Sequence, residues 1–168
     1  MSVNLADLYV AINAAWESSG LNALFLALRP AGTINSNFSV LCDQEASPGQ
    51  PHPYCVIDQI TNSNTKDRMT DGVEGLRETR DIPVRFNVYA KEVVGDIRSA
   101  KVIAAYLAEE LMKVFGGHPT VSPTGTITLS NGNHLQTRYE NDFGIRLDDD
   151  EYQWHVAYSF KLDVPVAI

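Results

Sequence analysis

The side chains that could support chemistry are scattered along this chain of 168 residues. The four histidines are His52, His118, His134 and His155. None of them has the spacing of an H-E-x-x-H metal motif, and no G-x-S-x-G turn is present to hold a nucleophilic serine. Cys42 and Cys55 lack metal-ligand spacing, and no neighbour in sequence would lower a thiol pKa, so both are predicted to be buried hydrophobic residues. The sequence therefore predicts no catalytic residue, no cofactor and no enzymatic activity.

One acidic run has residue types that suit a hard cation. Asp148, Asp149, Asp150 and Glu151 are consecutive, and carboxylate oxygens are the ligands that Mg²⁺ and Ca²⁺ prefer. The run lacks the alternating spacing and the glycine of an EF-hand loop. We favour a charged hairpin turn, and two alternatives stay open: a weak metal site at the three aspartates, and a contact with an arginine of a neighbouring subunit.

Composition limits the classes of protein that remain. The chain has 44% hydrophobic and 20% charged residues and a formal net charge of -8, which is typical of a globular protein and supports a single domain over residues 1–168. No run approaches the ~20 apolar residues of a membrane span, and the N-terminal residues do not resemble a signal peptide. Two cysteines favour a reducing compartment. The acidity argues against a protein that wraps DNA.

The charge is unevenly distributed. Residues 1–60 carry a formal charge of -4, residues 61–101 carry +1 with eight basic and seven acidic side chains, and residues 140–168 carry -5. Solvated loops and faces would explain both the mixed middle and the acidic end. The alternative is that these regions are docking surfaces, because complementary charge selects partners and sets register.

Hydrophobic periodicity predicts the elements that must position these residues. Apolar residues at steps of three and four predict a helix from about Leu5 to Trp16, a second short helix over 21–28, and a long helix over 96–115 with Asp96 as its N-cap. Gly116 and Gly117 would end that long helix. The helices alternate with strand patterns in the order expected of an α+β protein, in which a mixed, mostly antiparallel sheet carries two or three helices on one face.

The strand predictions depend on alternation and on turn residues. Residues 34–41 are a possible strand, Tyr54–Ile60 is a strand, and a long polar loop over 61–79 separates it from a strand over 80–90. Asn131-Gly132 predicts a hairpin. A strand over about 136–147 then turns at the acidic run into a strictly alternating strand over 152–163.

The order of these segments resembles the tail completion, or tail terminator, proteins of long-tailed bacteriophages and prophages. The segments that carry the resemblance are LADLYVAINAAW, PHPYCVIDQI, ETRDIPVRFNVYAK, GDIRSAKVIAAYLAEELMKVF and DDDEYQWHVAYSFKLDV. Together they extend over essentially the whole chain, although the tract between Asn35 and Gln50 and the residues after Gly116 depart from many members of the family.

The resemblance implies a structural protein of the virion tail or neck, assembled in the host cytoplasm. It implies a homo-oligomeric ring, usually hexameric, that caps the tail tube, stops polymerisation and joins the tail to the head connector, while DNA only passes through its lumen. We expect three contact surfaces. The first is the polar loop with Lys66, Arg68, Glu74, Arg77 and Glu78, the second is the strand face with Arg85, Asn87 and Lys91, and the third is the acidic turn Asp148, Asp149, Asp150 and Glu151.

Three alternatives remain open at this point. A head–tail connector or stopper protein of the same virion neck uses similar small folds. A small-molecule or peptide binding module would place the aromatic strand with Tyr152, Trp154, Tyr158 and Phe160 around a pocket. An enzyme with dispersed catalytic residues is the third.

Overall fold

The structure is a computed structural model that describes most of the chain. The described residues are 5–34, 37–43, 45–60, 67–69, 77–118, 120–121, 124–148 and 153–166. In these residues lie three helices: α1 (Leu5–Ser18), α2 (Leu21–Ala27) and α3 (Ala100–Phe115). The strands are β1 (Leu41–Asp43), β2 (Tyr54–Ile60), β3 (Asp67–Met69), β4 (Arg77–Ala90), β5 (Thr124–Thr128), β6 (His134–Asp148) and β7 (Gln153–Val166). No described helix has both the length and the apolar character needed to cross a membrane.

All of these strands belong to one sheet. Its order is β1-β2-β4-β7-β6-β5, and β3 pairs with β4 beside this path. The β1–β2 pair is parallel, and the other pairs are antiparallel. The long strands β4, β7 and β6 are adjacent in the middle of the sheet. The predicted α+β class with a mixed, mostly antiparallel sheet is confirmed.

The helices share one face of this sheet. On α1, Leu8, Ile12 and Trp16 recur every four residues and are buried, as the helical period requires. The ring of Phe86 on β4 lies 6.2 Å from that of Trp16 and 4.9 Å from that of Phe115 on α3. Buried residues of all three helices therefore form one continuous core with β2, β4, β5 and β6, which confirms the prediction that the helices pack on one face.

The predicted loop over 61–79 is wrong in part. Asp67–Met69 forms β3, and β4 begins at Arg77, three residues before the predicted strand start at 80. Asp67 is the partner of Thr79, and Met69 is the partner of Arg77. Residues 67–69 and 77–79 therefore form an antiparallel pair of strands. A strand pairing of three residues has too few positions to show a period, which explains why the sequence pattern missed it.

Two further boundaries differ from the predictions. The possible strand over 34–41 is not found in its described part, where the strand β1 begins only at Leu41. The long helix begins at Ala100 and its N-cap is Ser99, whose hydroxyl accepts the Val102 N–H at 3.4 Å. Asp96 is not the cap, because its carboxylate is engaged by the residue two positions later. The predicted hairpin at Asn131-Gly132 is confirmed, since it joins β5 to β6.

Candidate interaction surfaces

The connection between β4 and α3, residues 91–99, is held in one shape by an internal ion pair. The Asp96 carboxylate accepts the Arg98 backbone N–H at 2.8 Å and also the Arg98 Nε at 3.1 Å and Nη2 at 2.8 Å. These hydrogen bonds to the charged form lower the pKa of Asp96 to about 2. We call residues 91–99 the braced loop.

One further contact joins the braced loop to α3, and another closes a turn within the loop. The Arg98 guanidinium lies over the Tyr106 ring of α3, 5.1 Å from its centroid, which is within cation–π range. The Asp96 N–H donates to the Val93 carbonyl at 3.1 Å. Gly95 takes φ 91° between these two residues, a left-handed conformation that glycine adopts without a Cβ penalty. The loop is thus tied to the first turns of the helix that covers the sheet.

The braced loop exposes its apolar side chains. Val94 is 96% exposed and Ile97 is fully exposed, and Val102 in the first turn of α3 is about half exposed. The prediction that Ile97 belongs to the buried stripe of α3 is therefore wrong, because the helix starts three residues after it. Single exposed apolar residues are ordinary, but two on a loop held by an ion pair form a surface that a partner protein can cover.

A second surface is the sheet face opposite the helices. At its β1–β2 end the rings of Tyr54 and Tyr89 stack at 5.0 Å, and His52 lies 4.9 Å from Tyr54. Cys42 and Val56 complete a small buried cluster there. This cluster stiffens one end of the face, next to the strand residues that we predicted as a contact.

The three residues predicted to form a contact on that face differ in position and in exposure. Asn87 is only 6% exposed, so it has little area to offer a partner. Arg85 is half-buried and retains accessible area. The prediction that Lys91 lies on the strand face is wrong, because β4 ends at Ala90 and Lys91 is the first residue of the braced loop. A contact at the strand face would therefore depend on Arg85 rather than on Asn87.

Two predicted residues of the polar segment are neighbours in the backbone register. Arg68 on β3 is the direct cross-strand partner of Glu78 on β4. Arg77 also lies on β4, opposite Met69. Lys66 and Glu74 lie outside the described residues.

The acidic turn is described only at its first residue. Asp148 is the last residue of β6 and is the partner of Gln153 on β7. Asp149, Asp150 and Glu151 lie outside the described residues, so the weak metal site stays a prediction. Among the described residues, no group of three or more His, Cys, Asp or Glu side chains could hold a metal ion.

The thiols have the buried positions that the sequence predicts. Cys42 and Cys55 are both free and buried. Burial raises the pKa of the Cys55 thiol well above its usual value, and it also raises the pKa of Cys42, where the nearby Arg29 charge opposes the shift. Thiols held in the neutral form are poor nucleophiles.

Sequence reasoning missed Arg29, a buried charge. It is 5% exposed, and its Nη1 donates to the Phe38 carbonyl at 3.4 Å. Beside it, the Gln50 Nε2 donates to the Ser39 carbonyl at 2.6 Å. These contacts hold the chain between α2 and β1. One feature of the sequence could have drawn attention to it: Arg29 is the only Lys or Arg among the first 60 residues.

Comparison with known proteins gives distant likenesses only. No family model and no curated protein matches the sequence. A chain in the solved virion of a native gene transfer agent particle is similar at 14% identity and a TM-score of 0.44, over 81% of this chain and 87% of that one. A second solved chain is similar at 17% identity and a TM-score of 0.45, over 95% of this chain and 97% of its own length. At these values neither likeness says what this chain does.

Proposed function

We propose that this chain is a structural assembly protein of a phage-type virion, the tail terminator that caps the tail tube. In this role copies of the chain form a ring, usually hexameric, at the end of the finished tube, where they stop polymerisation and present the other side of the ring to the head connector. The protein has no catalytic step to perform, and DNA passes through the lumen without being bound.

The braced loop is the observation that carries the proposal. An ion pair, a cation–π contact and a helix cap all serve to fix a loop whose apolar residues Val94 and Ile97 lie in water. A fixed loop loses little conformational entropy when a partner covers it, so its apolar area is available for binding. An assembly protein needs such a surface, whereas a binding module would place its apolar residues inside a pocket.

The arrangement of surfaces also suits a ring. A closed ring repeats one heterologous interface, so each subunit needs two different patches that complement each other. The braced loop at the start of α3 and the sheet face with Arg85 are two such patches of different chemistry.

The proposal is tested by assembling tail tubes in the presence of this chain. The tail tube protein from the same genome is polymerised alone and with the purified chain, and electron microscopy measures tube length and the structure at the tube ends. We expect rings at tube ends and an end to elongation. The Val94→Ser/Ile97→Ser variant should lose capping by about tenfold or more at equal protein concentration, since apolar anchors at an interface contribute most of its affinity.

The matched control is Ile34→Ser/Val121→Ser, which removes equal apolar groups from two other exposed sites. This variant should cap tubes as the wild-type chain does. Wild-type chain that leaves both tube length and tube ends unchanged would exclude the terminator role. Equal losses in the two double variants would exclude the braced loop as the contact.

A further inference from the structure

The sheet ends at β5, whose outer side carries backbone groups that the sheet does not use. β5 is the last strand in the order of the sheet, and β6 is its neighbour on the inner side. An edge strand presents backbone N–H and C=O groups on its outer side, and these groups are a template for pairing with another strand. The outer side of β5 is therefore a candidate contact surface, which we call the β5 edge.

The hairpin shows which residues carry the open backbone groups. The Leu129 N–H donates to the Asn133 carbonyl at 2.8 Å, so these residues form a hydrogen-bonded pair where the hairpin turns. Hydrogen-bonded and non-hydrogen-bonded pairs alternate along an antiparallel ladder. The register therefore makes Thr128 and Thr126 members of non-hydrogen-bonded pairs, whose N–H and C=O groups point away from β6. Among the residues that the structure describes, none forms a backbone hydrogen bond to these outward groups.

The β5 edge lacks the features that usually block a strand edge. Proteins protect their edges with very short strands, charged side chains, prolines or bulges. β5 has five residues, contains neither a charge nor a proline, and pairs with β6 without a register shift. The strand at the opposite end of the sheet, β1, has three residues and carries the exposed Asp43. The difference points to a second strand that covers the β5 edge.

The core side of the molecule holds β5 in place. Ile127 is 1% exposed and belongs to the common core. A Cβ on Gly125 would lie 2.9 Å from the backbone carbon of Phe115, which places the end of α3 directly against the strand. The side chains of Thr126 and Thr128, by contrast, are exposed. An edge that is already fixed loses little conformational entropy when another strand pairs with it.

We infer that the β5 edge pairs with the β5 edge of a second copy of this chain, antiparallel and about a twofold axis at Ile127. In this register Thr126 lies opposite Thr128 of the partner subunit, and the outward N–H and C=O groups of both residues are all satisfied. Opposed threonines are favourable cross-strand pairs. Such an isologous contact uses the same surface on both copies and stops at two copies. It is separate from the repeated interface of a ring, so the inference goes beyond the proposed function and does not depend on it.

The distribution of charge favours a second copy as the occupant. No Lys, Arg, Asp or Glu occurs from residue 114 to residue 137, a range that includes β5 and its hairpin. The formal charge of the chain is -8, so two copies repel each other wherever their acidic surfaces meet. At the β5 edge two copies approach without bringing carboxylates together. A partner selected by complementary charge would instead dock on charged residues.

Two measurements on the wild-type chain test the inference. Sedimentation equilibrium should show a monomer–dimer equilibrium with a dissociation constant below about 1 mM, a weak affinity that suits a small contact. Amide hydrogen exchange, measured by NMR at low and high protein concentration, should slow by about tenfold or more at Thr126 and Thr128 as the dimer forms, because hydrogen-bonded amides are protected. The Ile127 amide, which the register bonds to β6, should exchange at the same rate at both concentrations.

Paired substitutions test the register of the contact. Thr126→Lys/Thr128→Lys places like charges directly opposite each other and should weaken dimerisation by about tenfold or more. Thr126→Lys/Thr128→Glu places opposite charges there and should restore most of the affinity. Gln136→Lys is the matched control, because Gln136 is exposed and is the partner of Thr126 on the inner strand β6. It should leave dimerisation unchanged, and circular dichroism checks that each variant folds.

Several results would overturn the inference. A wild-type chain that stays monomeric up to about 1 mM would do so, as would a dimer in which the Thr126 and Thr128 amides exchange as fast as in the monomer. Equal losses in Gln136→Lys and the double lysine variant, or no recovery in Thr126→Lys/Thr128→Glu, would also contradict it. A monomeric wild-type chain that caps tubes, with capping lost in the double lysine variant, would assign the β5 edge to the tail tube protein instead. Dimerisation through the β5 edge without any tube capping would exclude the terminator role and leave this contact standing.

Discussion

The two faces of β4 differ although they are built from alternate residues of one strand. On the helix-covered face, Val84, Phe86 and Val88 are fully buried in the common core. On the opposite face, Arg85 and Tyr89 are half-buried, and the Tyr89 ring stacks on that of Tyr54. Because side chains alternate with a period of two, a single strand places one set of residues in the core and the other set on the opposite, partly accessible face. Substitutions only a few residues apart on this strand should therefore lower the free energy of unfolding by different amounts.

The largest expected difference is between Phe86→Ala and Tyr89→Ala. Phe86→Ala removes a fully buried ring that contacts Trp16 and Phe115, and it should lower the free energy of unfolding by about 3–5 kcal/mol. Tyr89→Ala removes a half-buried ring stacked on Tyr54 and should cost about 1–2 kcal/mol. Urea unfolding of both variants measures the two losses. Equal losses would mean that the opposite face is as important to stability as the core face.

The same comparison applies to two neighbouring residues of β5. A Cβ on Gly125 would lie 2.6 Å from the Thr137 Oγ1 and 2.9 Å from the backbone carbon of Phe115, at the end of α3. Thr137 also donates its hydroxyl hydrogen to the Phe115 carbonyl, so it cannot move away freely. Gly125→Ala should therefore cost about 1–3 kcal/mol in unfolding free energy, as overpacked sites do.

Thr126→Ala is the control for Gly125→Ala, because Thr126 is exposed and is the next residue along the strand. It should change the free energy of unfolding by about 0.5 kcal/mol or less. Thermal unfolding of the two variants gives the difference directly. A neutral Gly125→Ala would show that α3 is not held close to β5.

The start of α3 tests the boundary between the braced loop and the helix that covers the sheet. Ser99→Ala removes the hydroxyl that accepts the Val102 N–H and should cost about 1 kcal/mol. Ser99→Asn retains a capping oxygen and should restore most of that loss. Chemical denaturation distinguishes the two variants. If Asp96→Ala had the effect of a lost helix cap and Ser99→Ala had none, the sequence-based assignment of Asp96 as the cap would be right after all.

The correct predictions share a long and regular pattern. The stripe of α3 and the alternation of β7 extend over 14 or more residues, so periodicity identified both elements and the α+β class. The short strands β1 and β3 have three residues each and show no period. The start of α3 was misplaced because Asp96 and Ser99 are both good caps, and the choice depends on the ion pair between Asp96 and Arg98.

The candidate surfaces were harder to predict for two physical reasons. The burial of Asn87 depends on what packs against its strand, and alternation within one strand does not show this. The exposure of Ile97 depends on the helix boundary, since a helix that began at Asp96 would have buried it. Arg85 was predictable as a polar strand-face residue because it needs only alternation within one strand, whereas Lys91 lies beyond the end of β4 at Ala90.

The smallest expected effect is the change with pH in the stability that the Asp96–Arg98 ion pair gives to the braced loop. Hydrogen bonds from Arg98 hold the pKa of Asp96 at about 2, below the ordinary value of 3.8, so between these values the unfolded chain binds more protons at this site than the folded chain does. The stabilisation is complete above pH 3.8 and is lost as the pH falls toward 2, and it is small because exposed ion pairs contribute little. A carboxyl chemical-shift titration of Asp96 should have its midpoint near 2, and Arg98→Gln should move it upward. An unchanged midpoint in Arg98→Gln would mean that the ion pair does not brace the loop, and Val94 and Ile97 would then lose the fixed position on which their proposed contact depends.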